Sequence, residues 1–263
     1  TLSQTASNSF YEGLLTFDKD MKVIDALATD YKVSDDGLVY TVTLRKGVKF
    51  HDGSEFQADA VKANFDRVTN KANGLKRYML YQNIEKTEVV DPYTVRFTLK
   101  KPFSSFINQL AHPAGVMICP STLANKTNKQ IAFEACGTGP YTLDKYNPSE
   151  GMRVVKNPNY WQAGFPKLDA INWKPVVENS TRVAMLLTGE AQFAFPLPAE
   201  QVKQVQGKDQ VRLDITPSII LRYVEMNMSK KPFQDKRVRE AFNYAINKVA
   251  LCKVAFAGCA DPA

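Results

Sequence analysis

The chain has 263 residues, of which 44% are apolar and 23% charged, and its formal net charge is +7. This composition excludes a disordered chain, because so much apolar surface can form a core. No apolar run reaches the ~18 residues that a membrane-spanning helix needs. The basic residues are scattered and form only doublets such as Lys100-Lys101, which argues against a nucleic-acid partner.

The first predicted elements are short strands and one helix. Val39–Leu44 is a β-rich run that follows a turn signal at Ser34–Gly37. Val48–His51 predicts a second short strand, and His51 at its end is expected to be exposed. Apolar residues from Ala58 to Val68 recur at i, i+3, i+7 and i+10, which predicts a helix.

A hairpin and a further group of strands follow. Ile84–Val90 and Thr94–Leu99 predict two strands that Asp91-Pro92-Tyr93 joins into a hairpin. Gly137–Pro140 lacks the third glycine and the Lys-Ser/Thr of a phosphate loop, so it predicts a tight turn. The strands expected after it are Tyr141–Leu143, Met152–Val155 and Ile171–Trp173.

The last third of the chain predicts two capped helices and two strands. Asn179 is the expected N-cap of a helix that Gly189 ends. Asp235 is the expected cap of a long helix. The residues expected to face the core from that helix are Val238, Phe242, Ala245, Ile246 and Val249. The two strands predicted between the helices are Val211–Ile215 and Ile219–Met226.

These elements indicate an α+β (mixed α/β) fold class, because hairpins are frequent and clean βαβ units are few. The end of the chain, 256–263, predicts a helix exit into a linker and hence a domain boundary. With no initiator methionine or leader, the chain is expected to be a mature or excised piece.

Cysteine and histidine chemistry is sparse. Pairing by proximity would join Cys119 to Cys136 and Cys252 to Cys259, and the second pair closes only if Gly258 ends the helix. Four free thiols are the alternative. With two histidines and no CxxC motif, no metal site is expected. No nucleophile–base set or cofactor motif occurs, so neither an enzyme nor a cofactor is expected.

One stretch carries a family resemblance. Residues 26–65, ALATDYKVSDDGLVYTVTLRKGVKFHDGSEFQADAVKANF, resemble the signature of the family-5 extracellular solute-binding proteins, which serve peptide- and nickel-type ABC importers. Four more blocks follow in that family's order: Gly137–Tyr141, Asn157–Trp161, Leu187–Glu190 and Val238–Asn247. Five blocks in order are a far stronger signal than any one of them.

Further segments are similar to the glutathione-binding members of that family. An arginine of the nickel-binding members aligns with Ala114, which argues against a nickel chelate as ligand. The segments that carry the similarity are Leu75–Tyr78, Pro102–Ile107, Ala111–Pro113, Gly189–Pro196 and Lys253–Gly258.

The resemblance implies one lobe of a type II (cluster C) periplasmic binding protein. Residues 1–30 and 165–263 would form a sheet subdomain, with a mixed sheet and flanking helices. Residues 31–164 would form an extra α+β subdomain of the same lobe. The N-terminal strand and the second lobe of family members would lie outside this chain.

The implied function is solute capture for an ABC importer by closure of two lobes on glutathione or another small peptide. The expected partners are that ligand and a membrane permease, and the protein is expected to be a monomer. The expected location is the periplasm or the outer face of a bacterial membrane, held by an anchor.

The expected ligand contacts are arginines, because glutathione carries two carboxylates. Arg77 and Arg222 are the candidates for the carboxylates, and Tyr78 and Phe195 for the walls of the site. Arg45, Arg182 and Arg239 lie in the family-wide blocks and are interpreted as structural. The alternatives are a di- or oligopeptide ligand and, in another class, a chaperone-like or adhesion module on the same fold.

Overall fold

A computed structural model describes residues 2–216 and 220–262 of the chain. The chain divides into two compact units, Thr1–Pro175 (unit 1) and Val176–Ala263 (unit 2). Helices and antiparallel sheets confirm the α+β class. All strand pairings of the described residues are antiparallel, so these residues do not form the expected mixed sheet. None of the described helices is long and apolar enough to cross a membrane.

Unit 1 contains most of the regular structure. Its helices are α1 (Leu2–Ser7), α2 (Ala58–Thr69), α3 (Tyr78–Tyr81), α4 (Phe106–Leu110), α5 (Pro120–Asn125) and α6 (Asn128–Ile131). Its strands are β1 (Leu15–Phe17), β2 (Val23–Asp25), β3 (Ala28–Val33), β4 (Val39–Leu44), β5 (Ile84–Asp91), β6 (Thr94–Leu99), β7 (Tyr141–Asn147), β8 (Gly151–Lys156) and β9 (Ala170–Trp173).

The strands form three sheets, β1-β2, β3-β4-β6-β5 and β7-β8-β9. The predicted hairpin of β5 and β6 is confirmed, and Asp91 closes its turn by accepting the Tyr93 amide at 2.8 Å. The strand expected at Val48–His51 is wrong. Only one isolated bridge, Lys49 to Glu55, forms there, because the chain reverses at once through a tight turn.

An aromatic core joins α2 to the four-stranded sheet. Phe65 of α2 meets Phe97 of β6 edge-on at 4.8 Å between ring centroids, and Phe97 meets Phe106 of α4 at 5.6 Å. Tyr40 of β4 completes the series against Phe106 at 4.8 Å. All four rings are buried. The apolar face of α2 that its helical period predicts is therefore the face that is buried in this core.

The expected subdomain boundaries stay a prediction, and the compact units have other limits. Leu14 and Leu27, which lie in the first 30 residues, are fully buried in the same core cluster as Phe65 and Phe97. Residues 1–30 therefore belong to the same compact unit as the segment 31–164.

Unit 2 is helical where it is regular. Its helices are α7 (Asn179–Leu187), α8 (Val202–Val205), α9 (Lys236–Ala245) and α10 (Lys248–Ala255). Glu178, not Asn179, is the N-cap of α7, because its carboxylate accepts the Thr181 amide. Gly189, with φ +77°, follows the end of α7 as predicted.

The single long helix predicted after Asp235 is wrong, although Asp235 caps α9 as expected. Ile246 is extended, and Asn247 begins α10 by accepting the Ala250 amide. Asparagine is among the best N-cap residues, so it favours a new helix over continuation of the first. The residues expected to face a core are not buried, and Phe242 and Val249 are exposed.

The two strands predicted before α9 are also wrong in the described residues. Residues 211–216 and 220–226 are irregular, and Ile219 lies outside the described residues. A strand requires a hydrogen-bonded neighbour, and no described segment pairs with these residues. The apolar side chains of this segment remain exposed, including Ile220, Leu221 and Val224.

The cysteines follow neither of the two patterns considered from the sequence. Cys119 and Cys136 form a disulfide with their Cα atoms 5.4 Å apart, whereas Cys252 and Cys259 are free thiols. Gly258 does end the helical turn, and its amide donates to the Cys252 carbonyl at 3.3 Å. This turn brings the chain back without joining the two sulfurs.

Candidate functional site

The four predicted ligand residues lie in different units. Arg77 and Tyr78 are adjacent in unit 1, whereas Phe195 and Arg222 belong to unit 2. Neither unit by itself brings all four together. The geometry of each pair therefore has to be considered separately.

Arg77 is an exposed cation at the start of α3. It is the N-cap residue, and its carbonyl accepts the Leu80 amide at 3.0 Å. Among the described residues, no carboxylate oxygen lies within 4.0 Å of its guanidinium. The half-buried Tyr78 follows it directly. Arg77 can therefore accept an anionic partner without first breaking an ion pair.

Tyr81 fixes the position of α3. Its side chain is fully buried, its ring meets Phe65 edge-on at 5.6 Å, and its hydroxyl donates to the Gln109 carbonyl at 3.0 Å. Burial raises the pKa of Tyr81, so the hydroxyl stays a neutral donor. Because α3 is only one turn long, this contact also restrains Arg77.

His112 lies in the loop that packs beside α3. The Ala114 amide donates to its Nδ1 at 3.0 Å, so the proton of the neutral ring is on Nε2. Burial, and secondarily the positive charge of Arg77, lowers the pKa of His112. The ring is therefore neutral at pH 7, and its Nε2 carries the one N–H donor.

A carboxylate that the sequence analysis missed, Glu12, organises the other end of unit 1. It accepts hydrogen bonds from the hydroxyls of Thr138 (2.8 Å) and Tyr160 (2.7 Å) and from Trp161 Nε1 (3.0 Å). Arg45 stacks over the Trp161 ring at 4.4 Å and donates to a backbone carbonyl. This arrangement agrees with a structural role for Arg45. No local motif marks Glu12, because all its partners are distant in sequence.

His51 and the glycine loop form a second structural contact. His51 is half-buried, which makes the expectation of an exposed side chain wrong. Its Nε2 lies 2.9 Å from the Gly139 carbonyl oxygen, and the Gly137 amide donates to Nδ1 at 3.4 Å. A Cβ on Gly137 or Gly139 would lie 2.3–2.5 Å from the Phe10 backbone. The loop therefore needs glycine for close backbone packing.

In unit 2, Phe195 precedes Pro196, whose carbonyl oxygen accepts a hydrogen bond from the half-buried Arg182. The guanidinium of Arg182 donates to the carbonyl oxygens of Val176 (2.7 Å) and Pro196 (3.2 Å). It thereby joins α7 to the segment that carries Phe195, and this agrees with the structural role inferred for Arg182. Phe195 itself is 54% exposed. Arg222 is exposed in the irregular segment described above.

Metal-ligating groups come together once among the described residues. The carboxylate of Asp52 lies near the sulfurs of Cys119 and Cys136. Both sulfurs are consumed in the disulfide, so they offer no thiolate to an ion. The Asp52 carboxylate instead accepts from the hydroxyls of Ser54 and Ser121, each at 2.5 Å.

Comparison with known proteins gives consistent results. A family profile described as bacterial extracellular solute-binding proteins, family 5 middle, matches residues 22–263. All 263 residues align at 59% identity with the glutathione-binding protein GsiB of Salmonella choleraesuis, over 51% of its length. The chain thus spans about half the length of the curated relatives it matches.

Solved structures give the same result for the fold. The periplasmic binding protein DppA of Helicobacter pylori, in complex with the peptide STSA, aligns with a TM-score of 0.86 and 30% identity over 97% of this chain and 54% of that one. A dipeptide-binding protein of Pseudoalteromonas sp. SM9913, in complex with Met-Leu, aligns with a TM-score of 0.81 and 28% identity over 96% of this chain and 54% of that one.

Proposed function

We propose a function from the premise that this chain belongs to family 5 of the bacterial extracellular solute-binding proteins. The protein captures glutathione, or a peptide of similar size, and delivers it to an ABC importer. The observation that carries this proposal is the 59% identity, over all 263 residues, to a glutathione-binding protein. The family is a solute-binding family and indicates no catalytic role, so we infer capture without chemical change.

The charges of the ligand agree with the exposed arginines. Glutathione carries two carboxylates and one ammonium, so a binding surface with available guanidinium groups suits it. Arg77 has no carboxylate within 4.0 Å among the described residues. We infer that Arg77 and Arg222 bind the carboxylates, with Tyr78 and Phe195 as walls.

We infer that the protein acts in the periplasm and binds there to a membrane permease. Membership of an extracellular family supports an extracytoplasmic location. The Cys119–Cys136 disulfide is consistent with it, since disulfides persist in oxidising compartments. Closure of two lobes would exclude water and strengthen the charged contacts to the ligand.

A dipeptide or short peptide is the second candidate ligand. Solved relatives that share 28–30% identity with this chain are described in complex with Met-Leu and with the peptide STSA. Recognition of varied peptides relies on backbone contacts, which are independent of side-chain identity. A peptide ligand would therefore depend less on Arg77 and Arg222 than glutathione would.

Calorimetric titration of the full-length protein tests the proposal. The titrants are reduced glutathione, oxidised glutathione, a dipeptide panel and Ni²⁺. Micromolar or tighter binding of glutathione with silent dipeptides is the expected result. Binding of dipeptides without binding of glutathione would indicate peptide capture instead. It would also contradict the roles proposed for Arg77 and Arg222.

A further inference from the structure

A groove of about 720 Å³ lies on unit 1 between α2 and the α5–α6 segment. Its volume is within the ~300–1,000 Å³ of small-molecule sites. Asp59, Ala63 and Arg67 line one wall, and their spacing of four residues puts them on one face of α2. Leu123 and Ile131 contribute apolar surface to the opposite wall. The groove contains none of the ligand residues proposed above.

Arg67 is a half-buried cation without a counter-ion. Its Nε and Nη2 donate to the Oδ1 atom of Asn128 at 3.0 and 2.7 Å, and this oxygen is neutral. No carboxylate oxygen of the described residues lies within 4.0 Å of the guanidinium. Burial also lowers the pKa of Arg67. Charges removed from water are normally paired with an opposite charge, and the positive charge of Arg67 is not compensated in this way.

The neighbouring titratable groups do not neutralise the charge of Arg67. Glu134 pairs with Lys126 at 3.0 Å, and Asp59 lies two turns away on α2, where it accepts the Ala60 amide. Two helical turns correspond to ~11 Å. Tyr11 also faces the guanidinium, but burial raises its pKa and keeps it uncharged. The Arg67 end of the groove therefore carries net positive charge.

We propose that this groove binds a small carboxylate that carries an apolar substituent. The Asn128 amide holds the guanidinium in place and leaves hydrogens on Nη1 and Nη2 for the two oxygens of the carboxylate. The apolar substituent covers Leu123, Ile131 and Ala63. This site is separate from the proposed glutathione site and does not depend on it.

The test is calorimetric titration of the full-length protein, with and without saturating reduced glutathione. The two probes are N-acetylleucine and N-acetylleucinamide, which differ mainly by the carboxylate. The acid is expected to bind at millimolar or lower concentration and the amide at least about tenfold more weakly, because only the acid pairs with Arg67. This comparison needs no variant and is therefore independent of any folding defect.

Variants locate the site. Arg67→Gln should weaken binding of the acid at least about tenfold and leave glutathione binding unchanged. Arg67→Lys should give an intermediate loss, because it keeps the charge but not the planar fork. Arg96→Gln is the matched control, since Arg96 is exposed on β6 and does not line the groove. Thermal melting checks that each variant is folded.

Four results would overturn the proposal. Three of them are equal binding of acid and amide, no binding of either probe, and loss of acid binding in Arg96→Gln as large as in Arg67→Gln. A failure of the glutathione titration alone would contradict the proposed function but not this site. Displacement of the bound acid by glutathione would assign the probe to the glutathione site, and this would likewise contradict the proposed site in the groove.

Discussion

Replacement of Glu12 by alanine is the sharpest perturbation that the structure suggests. The carboxylate is largely buried and is the common acceptor for Thr138, Tyr160 and Trp161. Alanine removes all three acceptor contacts and leaves the donors in place. Thr138 is 1% exposed, so its hydroxyl cannot turn to bulk solvent instead. We expect a loss of stability rather than a local adjustment.

The expected magnitude follows from these contacts. A hydrogen bond to a charged group contributes about 1.5–3 kcal/mol, and breaking a buried charged network typically costs about 3–5 kcal/mol. Tyr160 and Trp161 are half-buried and can recover part of their hydration. The expected loss in unfolding free energy for Glu12→Ala is therefore about 3–4 kcal/mol. Glu12→Gln keeps the shape and one acceptor, and we expect a loss of about 1 kcal/mol.

Urea denaturation of the full-length protein, followed by tryptophan fluorescence, measures this difference. Both tryptophans of the chain, Trp161 and Trp173, lie in unit 1. Equal stability of Glu12→Ala and wild type would refute the reasoning. A loss for Glu12→Gln as large as for Glu12→Ala would also refute it, because the acceptor oxygen would then contribute nothing.

The pH dependence gives a second readout of the same residue. Burial raises the pKa of Glu12 above its unfolded value of ~4.3. The folded state therefore binds this proton more tightly. The stabilising contribution of protonation is complete below the unfolded pKa and is lost as the pH rises through the folded pKa. Glu12→Gln should remove this component from the pH profile of stability, and an unchanged profile would contradict the assignment.

Three further predictions concern unit 1. Gly139→Ala should destabilise the fold by about 1–3 kcal/mol, because its Cβ would lie 2.5 Å from the Phe10 backbone; a melting temperature equal to wild type would contradict this. Replacing Cys119 and Cys136 together by serine should lower the free energy of unfolding in urea by about 3 kcal/mol, because the disulfide joins residues 17 positions apart and restrains the unfolded chain. An unchanged free energy of unfolding would contradict this. Burial lowers the pKa of His51, so its stabilising contribution is present above the unfolded pKa of ~6.5 and is lost as the pH falls through the folded pKa. Melting curves of His51→Gln should show a smaller fall in melting temperature below pH ~6.5 than those of the wild type. An equal fall in the two proteins would contradict this.

Local signals predicted the elements whose causes are local. The Asp91 turn, the apolar period of α2 and the cap at Asp235 all act within a few residues, and the structure contains each of them. Strand β3 was not predicted, because its residues after Ala28 are exposed, and buried and exposed positions do not alternate there. Such a strand is defined by its pairing with β4, which the local pattern does not contain.

The two errors in unit 2 have different origins. The segment 220–226 has the β-branched and aromatic composition of a strand, but no described residue supplies the hydrogen-bonding neighbour. The helix after Asp235 has a continuous apolar pattern, yet the capping preference of Asn247 divides it. The strand error therefore has a non-local cause, whereas the helix error is local, since the Asn247 side chain accepts the amide of Ala250 three residues away.

The candidate site shows a similar limit. Arg77 and Tyr78 came from a family resemblance, and their availability follows from the α3 geometry. Glu12 had no sequence signal, because Thr138 and Tyr160 are 126 and 148 residues away along the chain. Side chains that meet only through the tertiary fold cannot be paired from spacing in a single sequence.

Titration of the full-length protein with reduced glutathione, in parallel with its Arg77→Gln and Arg96→Gln variants, tests the central claim most directly. The proposed function predicts tight binding by the wild type and by Arg96→Gln. It also predicts a loss of about 1.5–3 kcal/mol, or at least tenfold, in Arg77→Gln, because a charge-assisted contact is removed. Absence of glutathione binding to the wild type would contradict the proposed function, and equal binding by all three proteins would contradict the role of Arg77.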